Sequence, residues 1–175
     1  MDISQKIFEQ RKSISAYWHN KAGDLHASAG VLWKAIDSPG EKQTGFSHAV
    51  ACWPVYQMLC GMSLELLFKA ILVAKGQEPK ATHKIDILAQ EAGVAFGPKE
   101  VAVLKILSEA VIWNGRYPVP KEEKHYRMLS DLHWEHLHDR VSAGNLNIRR
   151  GNDNLGWESF NQLWRAGCDV YRAHC

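Results

Sequence analysis

The stretch from about Ser47 to Lys75 is the most apolar part of the chain, and it constrains the fold more than any other segment. Its apolar residues fall on more than one side of a helix, which is typical of a helix that other segments surround. Pro54 either kinks this helix or occupies its first turn, where a proline sacrifices no hydrogen bond. Gly76 favours the left-handed conformation that commonly ends a helix. The sequence therefore predicts a central helix for the fold.

Helical spacing continues on both sides of this segment, with apolar residues three or four positions apart. No segment shows sustained alternation of apolar and polar residues, so no sheet is predicted. Gly23 could divide the first helical region, and Ser38-Pro39-Gly40 ends it because proline and glycine cannot continue the helical hydrogen bonds. The predicted helical segments outside the central one are residues 1–37, Thr82 to Gly93, Gly97-Pro98 to Gly115, Glu123 to Ser142, and Trp157 to Ala173.

These segments predict an all-α fold, an antiparallel bundle of about six helices in a single domain covering residues 1–175. A chain of 175 residues with 46% hydrophobic and 23% charged residues is typical of one globular domain. The predicted parts are an N-terminal helical region (1–37), a core (47–143) and a C-terminal helix (157–173). The segment from Gly144 to Gly156 is predicted to be a loop, and its length indicates that it is either functional or mobile.

The formal net charge of +2 is too close to neutral for the broad positive field that non-specific nucleic-acid binding needs. Any contact with nucleic acid must therefore come from a local patch. Asn147-Ile148-Arg149-Arg150 is the obvious patch of this kind, and a solvated loop is the simpler interpretation of the same run.

The four cysteines show neither a Cys-x-x-Cys spacing nor a compact framework, which favours reduced thiols over a zinc site or disulfides. The first residues lack the apolar stretch of a signal peptide, and the apolar runs are shorter than a membrane span. We therefore expect a cytoplasmic protein that has no membrane association.

One order of motifs extends over about residues 48 to 120. Glu65 and Lys69-Ala70 lie on the central helix, Thr82-His83 opens the next helix, and Arg116-Tyr117-Pro118 follows a further helix. This order resembles the HEPN domain family in its non-toxin branch. The resemblance implies an antiparallel helical bundle, frequent homodimerisation and an association with nucleotides or RNA. It also makes a nucleotidyltransferase a candidate partner, because the family often occurs beside such enzymes.

The resemblance indicates five ligand-binding residues: Glu65, Lys69, His83, Arg116 and Tyr117. In this interpretation the first three line a groove with Arg116, whose planar guanidinium could grip a phosphate together with Lys69. The simpler interpretation is a helical ion pair between Glu65 and Lys69, worth about 0.2 to 0.5 kcal/mol. Arg116 could equally cap the carbonyls that end the preceding helix, or pair with Glu65.

Aromatic residues surround the same motif, because Trp113 and Tyr117 flank Asn114-Gly115-Arg116. Both rings could stack on a base, since every base offers a π face. Packing in the core or in a dimer interface is the simpler role for the seven tryptophans of the chain.

A second arrangement concerns Arg127 and His133. HEPN ribonucleases carry an arginine followed four to six residues later by a histidine, and these two residues satisfy that spacing. Arg127 would then stabilise charge on the scissile phosphate, and His133 would move the 2′-hydroxyl proton. Two observations count against this match: Met128 stands where the family usually has a polar residue, and residues six apart do not share a helical face.

Histidines are densest from His133 to His138. His133 and His136 are neighbours on a helix, whereas His138 points elsewhere, so a three-histidine metal site would need a broken helix or a remote ligand such as His48. We therefore predict neither a metal nor a cofactor.

The leading functional hypothesis is a HEPN-like helical module that recognises a nucleotide or RNA as a homodimer and that is not itself an enzyme. Two alternatives stay open. One is a metal-independent RNA endonuclease that uses Arg127 and His133, and the other is a helical protein-interaction module whose groove holds a peptide.

Overall fold

The computed structural model describes residues 2–38, 45–144 and 146–175, and within these ranges the chain is mostly helical. The helices are α1 (Ile3–Ser13), α2 (Ser15–Asp37), α3 (His48–Ala51), α4 (Trp53–Ala74), α5 (Ile85–Ala92), α6 (Pro98–Glu109), α7 (Glu123–His136) and α8 (Trp157–Arg172). A π-helical turn, Ala110–Asn114, continues α6, and the strands β1 (His138–Ala143) and β2 (Leu146–Gly151) form one antiparallel hairpin.

Helix α4 lies at the centre of the fold. It packs against α2, α5, α6, α8 and the π turn, and more than half of its 22 residues are buried. Pro54 lies in its first turn, so this proline does not kink the helix. By length and composition α4 could span a membrane, but 61% of its most apolar stretch is buried inside the protein. The core helix of a folded domain can be equally long and apolar, and it is mostly buried, as α4 is.

Two glycines bring the end of α6 and the π turn directly onto α4. A Cβ atom on Gly61 of α4 would lie 2.7 Å from both the Leu107 carbonyl oxygen and Val111 Cγ2. A Cβ atom on Gly115 would lie 2.5 Å from Met58 Cβ. Since no side chain fits at either position, the backbone that leaves the π turn is held at a fixed place against the central helix.

The N-terminal region divides at a different place from the one predicted. Gly23 lies inside α2, and the break between α1 and α2 falls at Ile14, whose backbone is extended. A glycine inside a helix costs about 1 kcal/mol, and the extensive packing of α2 on α4 outweighs that cost. Helix α2 ends at Asp37, and the predicted stop at Pro39-Gly40 lies outside the described residues.

The prediction of no sheet is wrong, because α7 ends at His136 and the chain then forms the β1–β2 hairpin where a longer helix and a loop were predicted. Apolar and polar residues alternate only when one face of a sheet is buried. Every residue of β2 is exposed, so this hairpin lacks that signal. The dipeptide Gly144-Asn145 is a turn signal that could have revealed the hairpin, and Gly144 has the positive φ, 61°, that such a turn needs.

One polar side chain of α4 lies unpaired in the core. Gln57 is fully buried, and neither its amide nitrogen nor its amide oxygen has a hydrogen-bond partner in the described part of the chain. An unpaired buried amide destabilises a protein, because it has lost its bonds to water without replacing them.

Replacing Gln57 by methionine should therefore stabilise the fold. Methionine has a similar shape without the polar atoms, and we expect Gln57→Met to raise the free energy of unfolding by about 1–3 kcal/mol in urea titrations. Gln162→Met, at an exposed position of α8, is the control and should change it by less than about 0.5 kcal/mol. A lower urea midpoint for Gln57→Met would contradict the interpretation.

Candidate functional site

Three of the predicted site residues meet in one charged cluster. Lys69 Nζ donates a hydrogen bond of 2.7 Å to Glu65 Oε1, and His83 Nδ1 donates one of 2.9 Å to Glu65 Oε2. The side chains of Glu65 and Lys69 are only 8% and 11% exposed, whereas that of His83 is 59% exposed. The predicted ion pair on α4 is therefore present, and the protein buries it.

The contacts of this cluster are directed inward. Both carboxylate oxygens of Glu65 accept bonds from the protein, and the charge of Lys69 is balanced by that carboxylate. Because His83 lies just before α5, its bond to Glu65 ties the loop that enters α5 to the central helix. Of the three side chains, only His83 is accessible to a ligand.

Arg116 and Tyr117 lie at the end of the π turn. Arg116 Nη2 donates hydrogen bonds to the carbonyl oxygens of Val111 and Ile112, at 3.0 and 2.7 Å. The guanidinium carbon lies 5.3 Å from the centre of the Tyr117 ring, which is a cation–π distance. Arg116 thus caps the carbonyls of the preceding helical turn, one of the roles that the sequence left open.

The five predicted ligand-binding residues therefore fall into two groups. Within the described residues, no hydrogen bond or salt bridge joins Arg116 or Tyr117 to the Glu65 cluster. Of five surface cavities of about 310 to 580 Å³, none is lined by Glu65, Lys69 or His83. The largest of the five lies at Arg116 and Tyr117.

This cavity, here called the Arg116 cavity, has a volume of about 580 Å³. It is formed by the π turn, the turns and bends of residues 115–122 and the first turn of α7. Cations and aromatic rings line it together, and the lining residues that carry chemistry are Trp113, Arg116, Tyr117, Lys121 and His125.

A buried carboxylate holds two of these lining groups in place. Glu109 is 4% exposed, and its Oε2 accepts a bond of 2.7 Å from Trp113 Nε1. His125 Nδ1 lies 3.1 and 3.2 Å from the two oxygens of the same carboxylate and donates to them. Since Glu109 fixes both rings, the wall of the cavity is already ordered before any ligand binds.

The rim of the Arg116 cavity has an excess of positive charge. Glu122, an acidic residue of the lining, pairs with Lys124 at 2.6 Å, and the hydrogen bond from that ammonium lowers the pKa of the Glu122 carboxyl below its usual range. In the described residues, neither Arg116 nor Lys121 is paired with a carboxylate, and Arg116 Nε and Nη1 make no bond to the protein. The cavity can therefore accept an anion beside an aromatic face.

Glu109, Lys121 and His125 were not among the residues predicted from the sequence. Glu109 and Trp113 are four positions apart, a spacing at which helical side chains meet, so their contact could have been found. The contact between Glu109 and His125 connects two helices and leaves no local signal.

The structure does not bring Arg127 and His133 to one site. Arg127 Nη2 donates to Glu123 Oε1 at 2.7 Å on the exposed side of α7. His133 lines a separate cavity of about 310 Å³ that Arg127 does not line, and burial lowers the pKa of His133 below its usual range. Among the described residues, no group of three or more His, Cys, Asp or Glu side chains is placed to hold a metal ion.

Comparison with known proteins does not assign the chain to a family. A scan against family models finds no match, and searches of the curated proteins and of the solved structures find no similar chain. The HEPN resemblance therefore depends on the motifs of the sequence.

Glu65 and Glu123 each form an ion pair with a residue four positions later, so comparing them measures what burial adds to the Glu65 pair. Glu65→Gln leaves the ammonium of Lys69 buried without its anion, and we expect a loss of about 3–5 kcal/mol in the free energy of unfolding. Glu123→Gln is the matched control, because Glu123 and Arg127 form a pair of the same spacing and the same 2.7 Å distance in solvent. It should cost less than about 1 kcal/mol. Equal losses in the two variants would show that burial does not set the strength of the Glu65 pair.

Proposed function

We propose that the chain is a HEPN-like helical module that binds a nucleotide or RNA at the Arg116 cavity and does not catalyse a reaction. The observation that carries this proposal is the combination, in one preformed cavity, of aromatic rings with two cations, Arg116 and Lys121, that no carboxylate of the described residues pairs. Phosphates are recognised by guanidinium and ammonium groups, and bases by aromatic faces. The motif order that resembles HEPN domains supports the same ligand class.

Each part of a nucleotide has a matching group in this proposal. The phosphate binds the Nε and Nη1 groups of Arg116 and the ammonium of Lys121, while Nη2 stays on its two carbonyls. The base stacks on Tyr117, whose residue is 56% exposed. Because the carbonyl bonds already restrict the Arg116 side chain, it loses little conformational freedom when it binds.

Binding is favoured over cleavage by the placement of the predicted nuclease pair. A general acid or base and a charge-stabilising group must reach the same phosphate. Arg127 is paired with Glu123, and His133 lies in another cavity, so the endonuclease alternative gains no support.

We also propose a homodimer, with a nucleotidyltransferase as a candidate partner implied by the resemblance. Helix α1 has 11 residues, and none of them is buried. A helix of this length is marginal in water unless it packs against something. The exposed side chains of Ile3, Ile7 and Phe8 give α1 an apolar surface that a second copy of the chain would cover.

Calorimetric titration with mononucleotides tests the ligand site. Arg116→Ala should weaken binding by about tenfold or more, since a charge-assisted hydrogen bond is worth about 1.5–3 kcal/mol. Arg116→Lys keeps the charge but loses the planar fork, so it should restore only part of the affinity. Lys105→Ala removes an exposed charge on α6 outside the cavity and should bind as the natural chain does. If both Arg116 variants keep full affinity but melt at lower temperature, Arg116 is only a helix cap.

Sedimentation equilibrium tests the dimer. The natural chain should sediment with about twice its mass of 19.8 kDa. Ile7→Glu places a charge on the apolar surface of α1 and should shift the equilibrium to the monomer. Val50→Glu, at a position of α3 that is 74% exposed, should leave the dimer intact. A monomeric natural chain at micromolar concentration would contradict the proposal.

A further inference from the structure

The hairpin after α7 carries two arginines side by side. Arg140 on β1 lies directly opposite Arg149 on β2, and residues opposite each other in an antiparallel pair point to the same face. His138 is two residues from Arg140, so it shares this face, here called the basic face. Arg150 lies opposite Asp139 in the register of the hairpin, and both residues therefore point to the other face.

Among the residues that the structure describes, this pair of arginines lacks a compensating charge. Like charges directly opposite each other destabilise a hairpin, and in the described residues no carboxylate forms a salt bridge with Arg140 or Arg149. Arg149 instead lies over the ring of Trp134, 5.5 Å from its centre, and its Nη1 donates to the Trp134 carbonyl oxygen. An anion bound between the two guanidinium groups would remove their repulsion.

Trp134 offers an aromatic surface next to these charges. The residue is 51% exposed, and its ring centre lies 4.7 Å from that of His138. Trp134 and His138 also line the cavity of about 310 Å³ that His133 enters. The Nε2 atom of His133 is buried there without a hydrogen-bond partner among the described residues. Asn114, Tyr126 and Ser130 add further polar groups to the lining.

This cavity of about 310 Å³, here called the second cavity, adjoins the Arg116 cavity, because Trp113 lines both. Tyr126, in the second cavity, directly follows His125, in the first, and its ring centre is 6.3 Å from that of Trp113. The rings of Trp113, Tyr126 and Trp134 therefore lie between the cations of the Arg116 cavity and the arginines of the hairpin. His125 and Trp134 are nine residues apart, which on a helix is about 14 Å. That distance matches about four stacked nucleotides at 3.4 Å each.

We infer that the basic face of the hairpin binds the phosphate backbone of a single-stranded nucleic acid whose first contact is at the Arg116 cavity. This inference rests on the proposed function and deepens it, since it makes the ligand a strand with about four or more nucleotides. Single strands are bound by grooves in which cations follow the backbone and aromatic side chains stack on successive bases. An acidic peptide would use the cations but would leave the aromatic faces without a role.

Fluorescence anisotropy with labelled single strands tests the inference. The probes are oligoadenylate and oligouridylate of about two and about eight nucleotides, in RNA and DNA forms, because only the longer ones can reach both contacts. Arg149→Ala and Arg140→Ala should each weaken binding of the longer strands about tenfold and lower the salt dependence, with a slope smaller by about 0.7 per lost phosphate contact. Neither variant should change binding of the short strands or of mononucleotides.

The hairpin supplies its own matched control. Arg150→Ala removes the same charge one residue away on the opposite face, and it should keep most of the affinity for the longer strands. Trp134→Leu should also weaken binding of those strands while leaving every arginine in place. Circular dichroism should show unchanged helix content in the three arginine variants, because the hairpin lies outside the helical core. Trp134 lies on α7, and leucine is a good helix former, so Trp134→Leu should keep that content as well.

The possible outcomes separate this inference from the proposed function. If long and short strands bind equally, or if Arg149→Ala and Arg150→Ala behave alike, the inference is wrong while the mononucleotide site stands. If neither mononucleotides nor strands bind, both proposals are wrong. If polyglutamate competes as well as the longer strands do, the basic face is a general polyanion site and the inference is overturned. Tighter binding of RNA than of DNA, with the Arg149 effect present, would identify RNA as the natural strand.

Discussion

The burial of α4 is the constraint on which the other elements depend. An apolar helix can be kept from water only if partners cover several of its sides, and here α2, α5, α6, the π turn and α8 all contact it. Gly61 allows the end of α6 to approach the α4 backbone, and Gly115 allows the chain to pass Met58. The point at which the chain leaves the helical core is thereby fixed. Arg116 follows that point immediately, so core packing determines where the guanidinium can be presented.

Two buried glutamates, Glu65 and Glu109, have different structural roles. Glu65 and Glu109 are each almost inaccessible, and each accepts a hydrogen bond from a more exposed histidine. Glu65 also has a lysine whose charge balances its own, and its bond to His83 ties α4 to the loop before α5. Glu109 has the indole of Trp113 instead, and it orients two rings that line a cavity. A buried carboxylate needs donors, and the identity of those donors decides whether it stabilises the core or organises a surface.

The sequence predicted the elements whose signals are local. The central helix and the helices on both sides of it follow from apolar spacing and from glycine and proline positions. The sequence left Pro54 open between a kink and the first turn, and the structure places it in the first turn. The hairpin was missed because both of its faces are exposed, so packing imposed no alternation on its residues. At the site, Trp113, Arg116 and Tyr117 are near in sequence and were found together. His125 was missed because only the packing of α7 brings it to Glu109.

The arginines of the hairpin show how folding rearranges charges that are neighbours in the sequence. The sequence marked Arg149 and Arg150 as one basic run, but the pleat of β2 places them on opposite faces. Arg140, nine positions earlier, becomes the true neighbour of Arg149 only through the hairpin register. The chain as a whole carries a formal charge of only +2, so its long-range field is weak. Charges in solvent are screened beyond about 8 Å at physiological ionic strength. Recognition by paired arginines and fixed rings would therefore act at contact distance, where the geometry of the folded surface, and not the net charge, selects the ligand.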